Sequence, residues 1–160
     1  MTAELPDYVL DPSPSAVFTR LQRVGLHLER LQAEAMAEID MTFADYTLLA
    51  TLHREPAPHA LPVSRLAELV LRPMGSITQV VDRLERASLV ARHLDANDRR
   101  RVLIELTATG VDLAERGDKA YRVSRERVLA SLGPAEVADI DRAVTTMLLA
   151  LEADQVSTGA

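Results

Sequence analysis

Apolar side chains recur every three or four residues in the first part of the chain, a spacing that is typical of amphipathic α-helices. One such stripe runs from Phe18 to Ile39 and predicts a long helix. A second stripe follows Thr42 and Asp45 and continues to Leu52. A side-chain oxygen with an acid three residues later favours a helix N-terminus at this point. Residues 1–14 hold three prolines without this periodicity, so we expect an arm there.

The middle of the chain predicts a short helix and then a helix with two contrasting faces. Residues 55–62 are too rich in proline for a helix, and the short helix is expected from Val63 to about Leu71. Pro73 suits the first position of the next helix, over residues 73–87. Its apolar stripe comprises Ile77, Val80, Val81 and Leu84. Its opposite face carries hydrogen-bond donors, namely Ser76, Gln79, Arg83 and Arg86.

A β-hairpin is predicted next, because two short runs alternate apolar and polar residues at the period of a strand. They cover residues 89–94 and 101–106, and the Asp- and Asn-containing segment between them is typical of a turn. Three consecutive arginines lie beside the tip of this turn. Two further helices are expected, at about 111–130 and, after a Gly-Pro break at 133–134, along an apolar stripe that ends near Leu151.

The predicted order α-α-α-α-β-β-α-α indicates a mainly α fold with a small β-hairpin, of the α+β type. A helix-turn-helix followed by a hairpin wing is a winged helix-turn-helix, which we expect at residues 41–110. Residues 15–40 and 111–152 are expected to be dimerisation helices, because the small middle cannot cover their long apolar stripes. The simplest partner is a second copy, so a homodimer is predicted. Residues 153–160 are expected to form a C-terminal tail.

Composition narrows the class of protein. Hydrophobic residues make up 48% of the 160 positions and aromatic residues only 3%, which favours the aliphatic core of a helix bundle. Cysteine is absent, so the chain has no disulfide framework and no thiol switch. No apolar run reaches the ~20 residues of a membrane span, and the N-terminus lacks the pattern of a signal peptide. A soluble cytoplasmic protein without a membrane partner is expected.

Charge is distributed unevenly along the chain. The net charge of −6 by itself argues against a nucleic-acid partner. Residues 61–110, however, hold eight arginines against six acids, a local balance of +2, while the remainder has a balance of −8. A basic middle between acidic flanks can direct a polyanion to one surface.

Two motifs resemble those of the MarR-type transcriptional regulators. The run Asp98-x-Arg100-x-x-x-Ile104-x-Leu106-Thr107-x-x-Gly110 resembles the wing signature of that family. Two further runs resemble the helix-turn-helix of that family, namely Leu66-Ala67-Glu68 and Ile77-Thr78-x-x-Val81-Asp82-Arg83-Leu84-Glu85-x-x-x-Leu89-Val90. The order of elements is similar to the family over roughly residues 15–152.

The resemblance implies a homodimeric winged-helix protein that binds double-stranded DNA. Family members are mostly repressors that occupy inverted-repeat operators and leave when a small, often aromatic or phenolic, ligand binds. The resemblance also implies that the helix over 73–87 enters the major groove, that Arg100 reaches the minor groove and that Asp98 braces the wing.

The chain departs from the family pattern in three loops. Arg72-Pro73 stands where Ser or Thr often caps the recognition helix, Pro62 where Thr is common, and Ser88 where glycine is usual. These departures bear on local loop geometry and on which side chains reach the bases. The absence of cysteine excludes the peroxide-sensing mechanism of one branch of the family.

The residue types at the predicted recognition helix suit the chemistry of duplex DNA. At the N-terminus of this helix, Arg72 precedes Pro73. Free backbone N–H groups and short hydroxyl side chains at such an end can bind phosphate. The hydroxyls here are those of Ser76 and Thr78. Gly75 lets the backbone come close. Gln79 is predicted to read adenine and Arg83 to bind guanine or phosphate.

The wing and the preceding helix add further candidate contacts. Arg99, Arg100 and Arg101 suit the negative potential of a narrow minor groove, with Arg99 and Arg100 as equal candidates for insertion. Asp98 would hold one guanidinium by a charge-assisted bond. Ser64 and Arg65 either touch phosphates or simply cap and solvate their own helix.

Other candidate sites are weaker. Five residues near the junction of the first two helices are candidates for lining an effector pocket, namely His27, Met36, Met41, Phe43 and Tyr46. The alternative for the last four is that they pack together as core. The four histidines lie on different elements without zinc spacing, so no metal is expected. The sequence has no Gly-rich phosphate loop and no nucleophile elbow, so neither an enzyme nor a cofactor is expected.

These observations predict a sequence-specific DNA-binding regulator, a repressor of neighbouring genes that a small ligand releases. The alternatives are a winged-helix module for protein contacts and a regulator that needs no ligand. The sequence leaves open the effector, the operator, the regulated genes and the sign of regulation.

Overall fold

The computed structural model describes residues 5–95 and 98–158. Turn residues 96 and 97, the first four residues of the predicted arm and the last two of the predicted tail lie outside this range. The chain divides into two compact units, one ending at Tyr121 and the other beginning at Arg122. The elements are α1 (Asp7–Leu10), α2 (Ala16–Ala37), α3 (Phe43–His53), β1 (Ala60–Pro62), α4 (Val63–Leu69), α5 (Met74–Arg86), β2 (Val90–Leu94), β3 (Val102–Leu106), α6 (Ala108–Leu129) and α7 (Pro134–Thr158).

The strands form one antiparallel sheet in the order β1-β3-β2. Strands β2 and β3 make the predicted hairpin, with Arg92 opposite Ile104. Strand β1 was not predicted, because it lies in the proline-rich stretch between α3 and α4. Pro62 ends β1 at the sheet edge, opposite Leu103, where a missing N–H is tolerated.

The core of the first unit lies where α5 packs against α3, α4 and the sheet. The predicted stripe of α5 is buried, with Ile77 only 1% and Val81 0% exposed. Leu49 of α3 and Leu66 of α4 meet it in the same cluster, as does Ile104 of β3. Burial of these aliphatic side chains fixes the orientation of α5, because each contributes roughly 1.5–3 kcal/mol.

The beginnings of the helices follow local side-chain chemistry. Thr42 and Asp45 form the predicted capping box of α3, in which Thr42 Oγ1 accepts from the Asp45 N–H at 3.2 Å. Pro73 lies just before α5 with extended backbone (φ −57°, ψ 144°), so the helix begins one residue later than predicted. Neither Pro62 nor Pro73 supplies a side-chain cap.

The turn between α5 and β2 has serine where glycine is usual in the family that the sequence resembles. Ser88 adopts φ 59°, in the left-handed region, so the substitution of serine for glycine leaves the turn intact. The start of α6 closes on this turn, because Thr107 Oγ1 donates to Ser88 O at 2.8 Å and accepts from the Gly110 N–H at 3.0 Å. A Cβ built on Gly110 would lie 2.0 Å from Leu89 O, so only glycine fits there.

Both ends of the chain differ from the predicted boundaries. The predicted arm contains the single turn α1, which Arg20 of α2 holds by donating from Nε to Val9 O at 2.9 Å. The pKa of Asp11 is lowered because the N–H and hydroxyl of Ser13 donate to its carboxylate. Helix α7 continues to Thr158, past the expected end at residue 152, so residues 153–158 are helical rather than a tail. No helix in the described ranges is long and apolar enough to cross a membrane.

Candidate nucleic-acid interface

The outward face of α5 is polar and open around its first turns. Gly75 and Gln79 are exposed, and a Cβ built on Gly75 would meet no heavy atom within 4 Å. Ser76 is half-buried. Without a side-chain cap, the positive end of the α5 dipole is left for an external acceptor. The Thr78 hydroxyl donates to Met74 O at 3.0 Å, and its contact with phosphate stays a prediction.

Arg83 anchors α5 to α3, a role that the sequence did not predict. Its Nε and one terminal nitrogen donate to Asp45 Oδ1 at 3.0 and 2.5 Å. Asp45 is 7% exposed, and its other oxygen accepts from Thr42 Oγ1 at 2.6 Å. The Arg83 side chain is 47% exposed, and Asp45 takes two of its five N–H donors. The predicted contact of Arg83 with guanine or phosphate has to use the remaining donors.

Arg92 of β2 joins the wing to α5 and was also missed. One terminal nitrogen of its guanidinium pairs with Asp82 Oδ1 and the other with Glu85 Oε2. The pKa of Arg92 is raised above its ordinary value, chiefly because it donates to Asp82 and further because of Glu85. A usable signal existed, because Asp82 and Glu85 lie three residues apart on a helix that leads directly into the strand of Arg92.

The wing tip presents arginines on a turn that Asp98 organises. Asp98 Oδ1 accepts from the Arg100 backbone N–H at 3.1 Å, and Asp98 Oδ2 lies 3.4 Å from Arg101 Nε. Asp98 therefore braces the wing as expected, with Arg101 as the guanidinium that it holds. Arg99 and Arg100 are exposed and have no side-chain ion pair within the described part of the chain. Insertion of either side chain into a groove stays a prediction.

The weaker candidates near α4 are accessible but only partly free. Ser64, Arg65 and Arg72 are all exposed. Arg65 Nη1 pairs with Glu68 Oε2 at 2.8 Å, and a contact of Arg65 with phosphate also stays a prediction. Contacts of Ser64 and Arg72 with phosphate remain predictions.

The residues expected to line an effector pocket pack together as core, with the exception of His27. Met36 and Tyr46 are 0% and 4% exposed and form a core cluster, against which Met41 and Phe43 pack. Tyr46 donates its hydroxyl to Asp118 Oδ1 at 2.5 Å. His27 is exposed and lies on a different surface, at a mainly apolar cavity of about 250 Å³ between the N-terminal segment and α2. This cavity is lined by Leu5, Val9, Leu10, Arg20, Arg23, Val24 and His27.

The remaining histidines make pairwise contacts. His53 and His59 stack with ring centroids 5.3 Å apart. His53 lies 3.7 Å from Glu115, and His93 lies 3.5 Å from Glu105. Within residues 5–95 and 98–158, no three histidine or acidic side chains converge as metal ligands would.

Each unit exposes apolar side chains on a long helix. In the first unit, α2 leaves Phe18 54% and Leu26 66% exposed. In the second unit, the side chains of the predicted apolar stripe of α7 are between 44% and 54% exposed, and they are Ile140, Val144, Leu148 and Leu151. Such extents of apolar surface mark sites where a partner binds.

Comparison with known proteins matches this architecture. A model of the MarR family matches residues 39–101, which include α3, the helix-turn-helix and the hairpin up to Arg101. The HTH-type transcriptional regulator PecS of Dickeya dadantii is 34% identical over 128 residues, covering 80% of this chain and 75% of PecS.

Solved structures confirm the predicted fold. AbsC, a MarR family transcriptional regulator from Streptomyces coelicolor, has a TM-score of 0.79 at 23% identity and covers 95% of this chain and 99% of its own. A mutant MarR from E. coli complexed with operator DNA has a TM-score of 0.74 at 23% identity and covers 82% of this chain and 93% of its own. The mainly α fold with a wing is the same.

Proposed function

Because the chain belongs to the MarR family of transcriptional regulators, we propose that it binds an inverted-repeat operator as a homodimer. On this proposal it acts in the cytoplasm, without catalysis, as a repressor of adjoining genes that a small aromatic ligand releases. The single observation that carries the DNA contact is the exposed pair Arg99 and Arg100 on a wing that Arg92 ties to α5.

Helix α5 suits the major groove of DNA, and the wing suits the adjoining minor groove. The exposed α5 surface around Gly75 and Gln79 fits the major groove, where glutamine pairs with adenine. The wing arginines fit the adjoining minor groove, where the negative potential is concentrated. Phosphate contacts from the α5 N-terminus and Ser76 would set the register.

The dimer follows from the exposed apolar helices. A second copy would cover the stripes of α2 and α7, and the resulting two-fold symmetry would match an inverted repeat. Both α5 helices can read the same face of the duplex only if they lie about one helical turn, ~34 Å, apart. A ligand that favours another spacing would release the DNA.

We place the effector at the 250 Å³ cavity beside α2, instead of at the packed Met36 and Tyr46 cluster. Its lining is mostly aliphatic, with Arg20, Arg23 and His27 among its residues. This composition suits an aromatic acid, whose ring would contact the aliphatic side chains and whose carboxylate would meet the arginines. Thermal shift with a series of aromatic acids tests the site, and Val24→Trp, which fills the cavity, should abolish any shift.

Binding to DNA is tested by fluorescence anisotropy with the duplex found upstream of the gene. The wild-type protein should bind this duplex with saturation at moderate salt and should bind a shuffled duplex far more weakly. Arg99→Ala/Arg100→Ala should lose most of the affinity, whereas Arg142→Ala, which removes an exposed arginine on α7, should retain it. Absence of saturable binding by the wild type would refute the proposed function.

A further inference from the structure

We propose that Arg92 is a positioning residue that clamps the wing to α5, so that the two grooves of the DNA are engaged together. This inference rests on the proposed function, because it assigns a role within that same DNA-binding surface. It concerns the angle between two elements, and Arg92 itself need not touch DNA.

The geometry places the clamp beyond the turn that joins the two elements. Residues 87–89 connect α5 to β2, and Ser88 among them has a φ of 59°. Arg92 is the third residue of β2 and reaches back to carboxylates on α5. Val90 and Ile104 also hold the wing through the core. The Arg92 contact adds to the restraint of the turn and the core, because it joins β2 directly to α5 by ion pairs.

One guanidinium serves two acids on the same flank of the helix. Asp82 and Glu85 are three residues apart and therefore neighbours on the α5 surface. The planar fork of arginine can donate from separate nitrogens to both carboxylates, which lysine cannot do with one ammonium group. The Arg92 side chain is 31% exposed, and those of Asp82 and Glu85 are 49% and 38% exposed. Partly exposed pairs of this kind add little to stability, so their effect on orientation is separable from folding.

Simple electrostatics and the clamp predict opposite results when the two acids are removed. Asp82→Ala/Glu85→Ala removes two negative charges from a helix that faces DNA, and charge alone would then tighten binding. Loss of the clamp would instead free the wing and raise the cost of ordering it on DNA. The direction of the change in affinity therefore distinguishes the two accounts.

The experiment measures operator affinity by anisotropy for the full chain. Asp82→Ala/Glu85→Ala is expected to bind about tenfold more weakly than wild type, because the wing is no longer preorganised. The matched control is Asp112→Ala/Glu126→Ala, which removes two acids from helical ion pairs on α6. It changes the net charge equally and should bind no more weakly than wild type. Arg92→Lys, which keeps the charge but not the fork, should bind weakly like the α5 double variant.

A double-mutant cycle keeps the proposal falsifiable if the variants lose some stability. Arg100→Ala should cost wild type more affinity than it costs Asp82→Ala/Glu85→Ala, because an unclamped wing contributes less. A merely structural role for the clamp would leave the cost of Arg100→Ala unchanged. Tighter binding by Asp82→Ala/Glu85→Ala, or equal costs in the cycle, would overturn the clamp. Failure of wild type to bind at all would instead refute the proposed function.

Discussion

At the scale of single residues, Asp45 uses its two carboxylate oxygens for different partners. Oδ2 accepts from Thr42 at the start of α3, while Oδ1 accepts from Arg83 of α5. The capping role could be predicted, because it depends on a spacing of three residues along the chain. The pairing with Arg83 could not, because it depends on how α3 and α5 cross, and 38 residues separate the partners.

The first prediction concerns this carboxylate. Asp45→Asn should lower the free energy of unfolding by about 2 kcal/mol, because it weakens a charge-assisted bond at a buried site. Urea denaturation followed by circular dichroism measures the change. The matched control is Glu68→Gln, which makes the same replacement in an exposed pair with Arg65 and should cost less than about 0.5 kcal/mol. Equal effects of the two substitutions would contradict the anchoring role of Asp45.

At the scale of elements, the junction of α5, β2 and α6 is held by two residues of the wing motif. Thr107 bonds to the turn after α5, and Gly110 packs against Leu89 O. Packing therefore explains the Thr107 and Gly110 of the wing motif. Strand β1 was not predicted, because Ala60–Pro62 is only three residues long and forms a strand through its pairing with β3. The single turn α1 is also short, and Arg20 of α2 holds it through a contact that no local pattern indicates.

The second prediction compares two glycines of this region. Gly110→Ala should destabilise the fold by about 3 kcal/mol, because its Cβ would clash with a backbone carbonyl. Gly75→Ala should stabilise the free protein slightly, since alanine favours a helix and the space there is open. It should nevertheless weaken operator binding if the α5 backbone approaches the DNA. Thermal unfolding and anisotropy of both variants measure these effects, and a stable Gly110→Ala would contradict the packing at this junction.

At the scale of the whole molecule, the chain has a negative net charge and local basic surface. Residues 61–110 have a local net charge of +2, and the arginines that contribute to it differ in role. Arg83 and Arg92 pair with acids inside the first unit, while Arg99 and Arg100 face outward. The sequence could predict where the basic residues cluster. It could not tell which of them are held internally, because that depends on tertiary contacts.

The third prediction concerns assembly. Ile140→Glu/Val144→Glu places two charges on the exposed stripe of α7 and should convert the expected homodimer into a monomer with much weaker operator binding. Sedimentation equilibrium measures the mass. Thr146→Glu, on the same helix but off the stripe, is the control and should remain dimeric. A dimeric Ile140→Glu/Val144→Glu variant would show that α7 is not the interface.

The salt dependence of operator affinity tests most directly whether the wing arginines engage DNA together with α5. Affinity measured across a range of salt concentrations gives a slope of log affinity against log salt, which reports the number of cationic contacts with the DNA. We expect a steep slope for wild type and a slope smaller by about 2 for Arg99→Ala/Arg100→Ala, one for each lost contact. An unchanged slope in that variant, with wild-type affinity, would show that the wing tip does not contact DNA and would contradict the account.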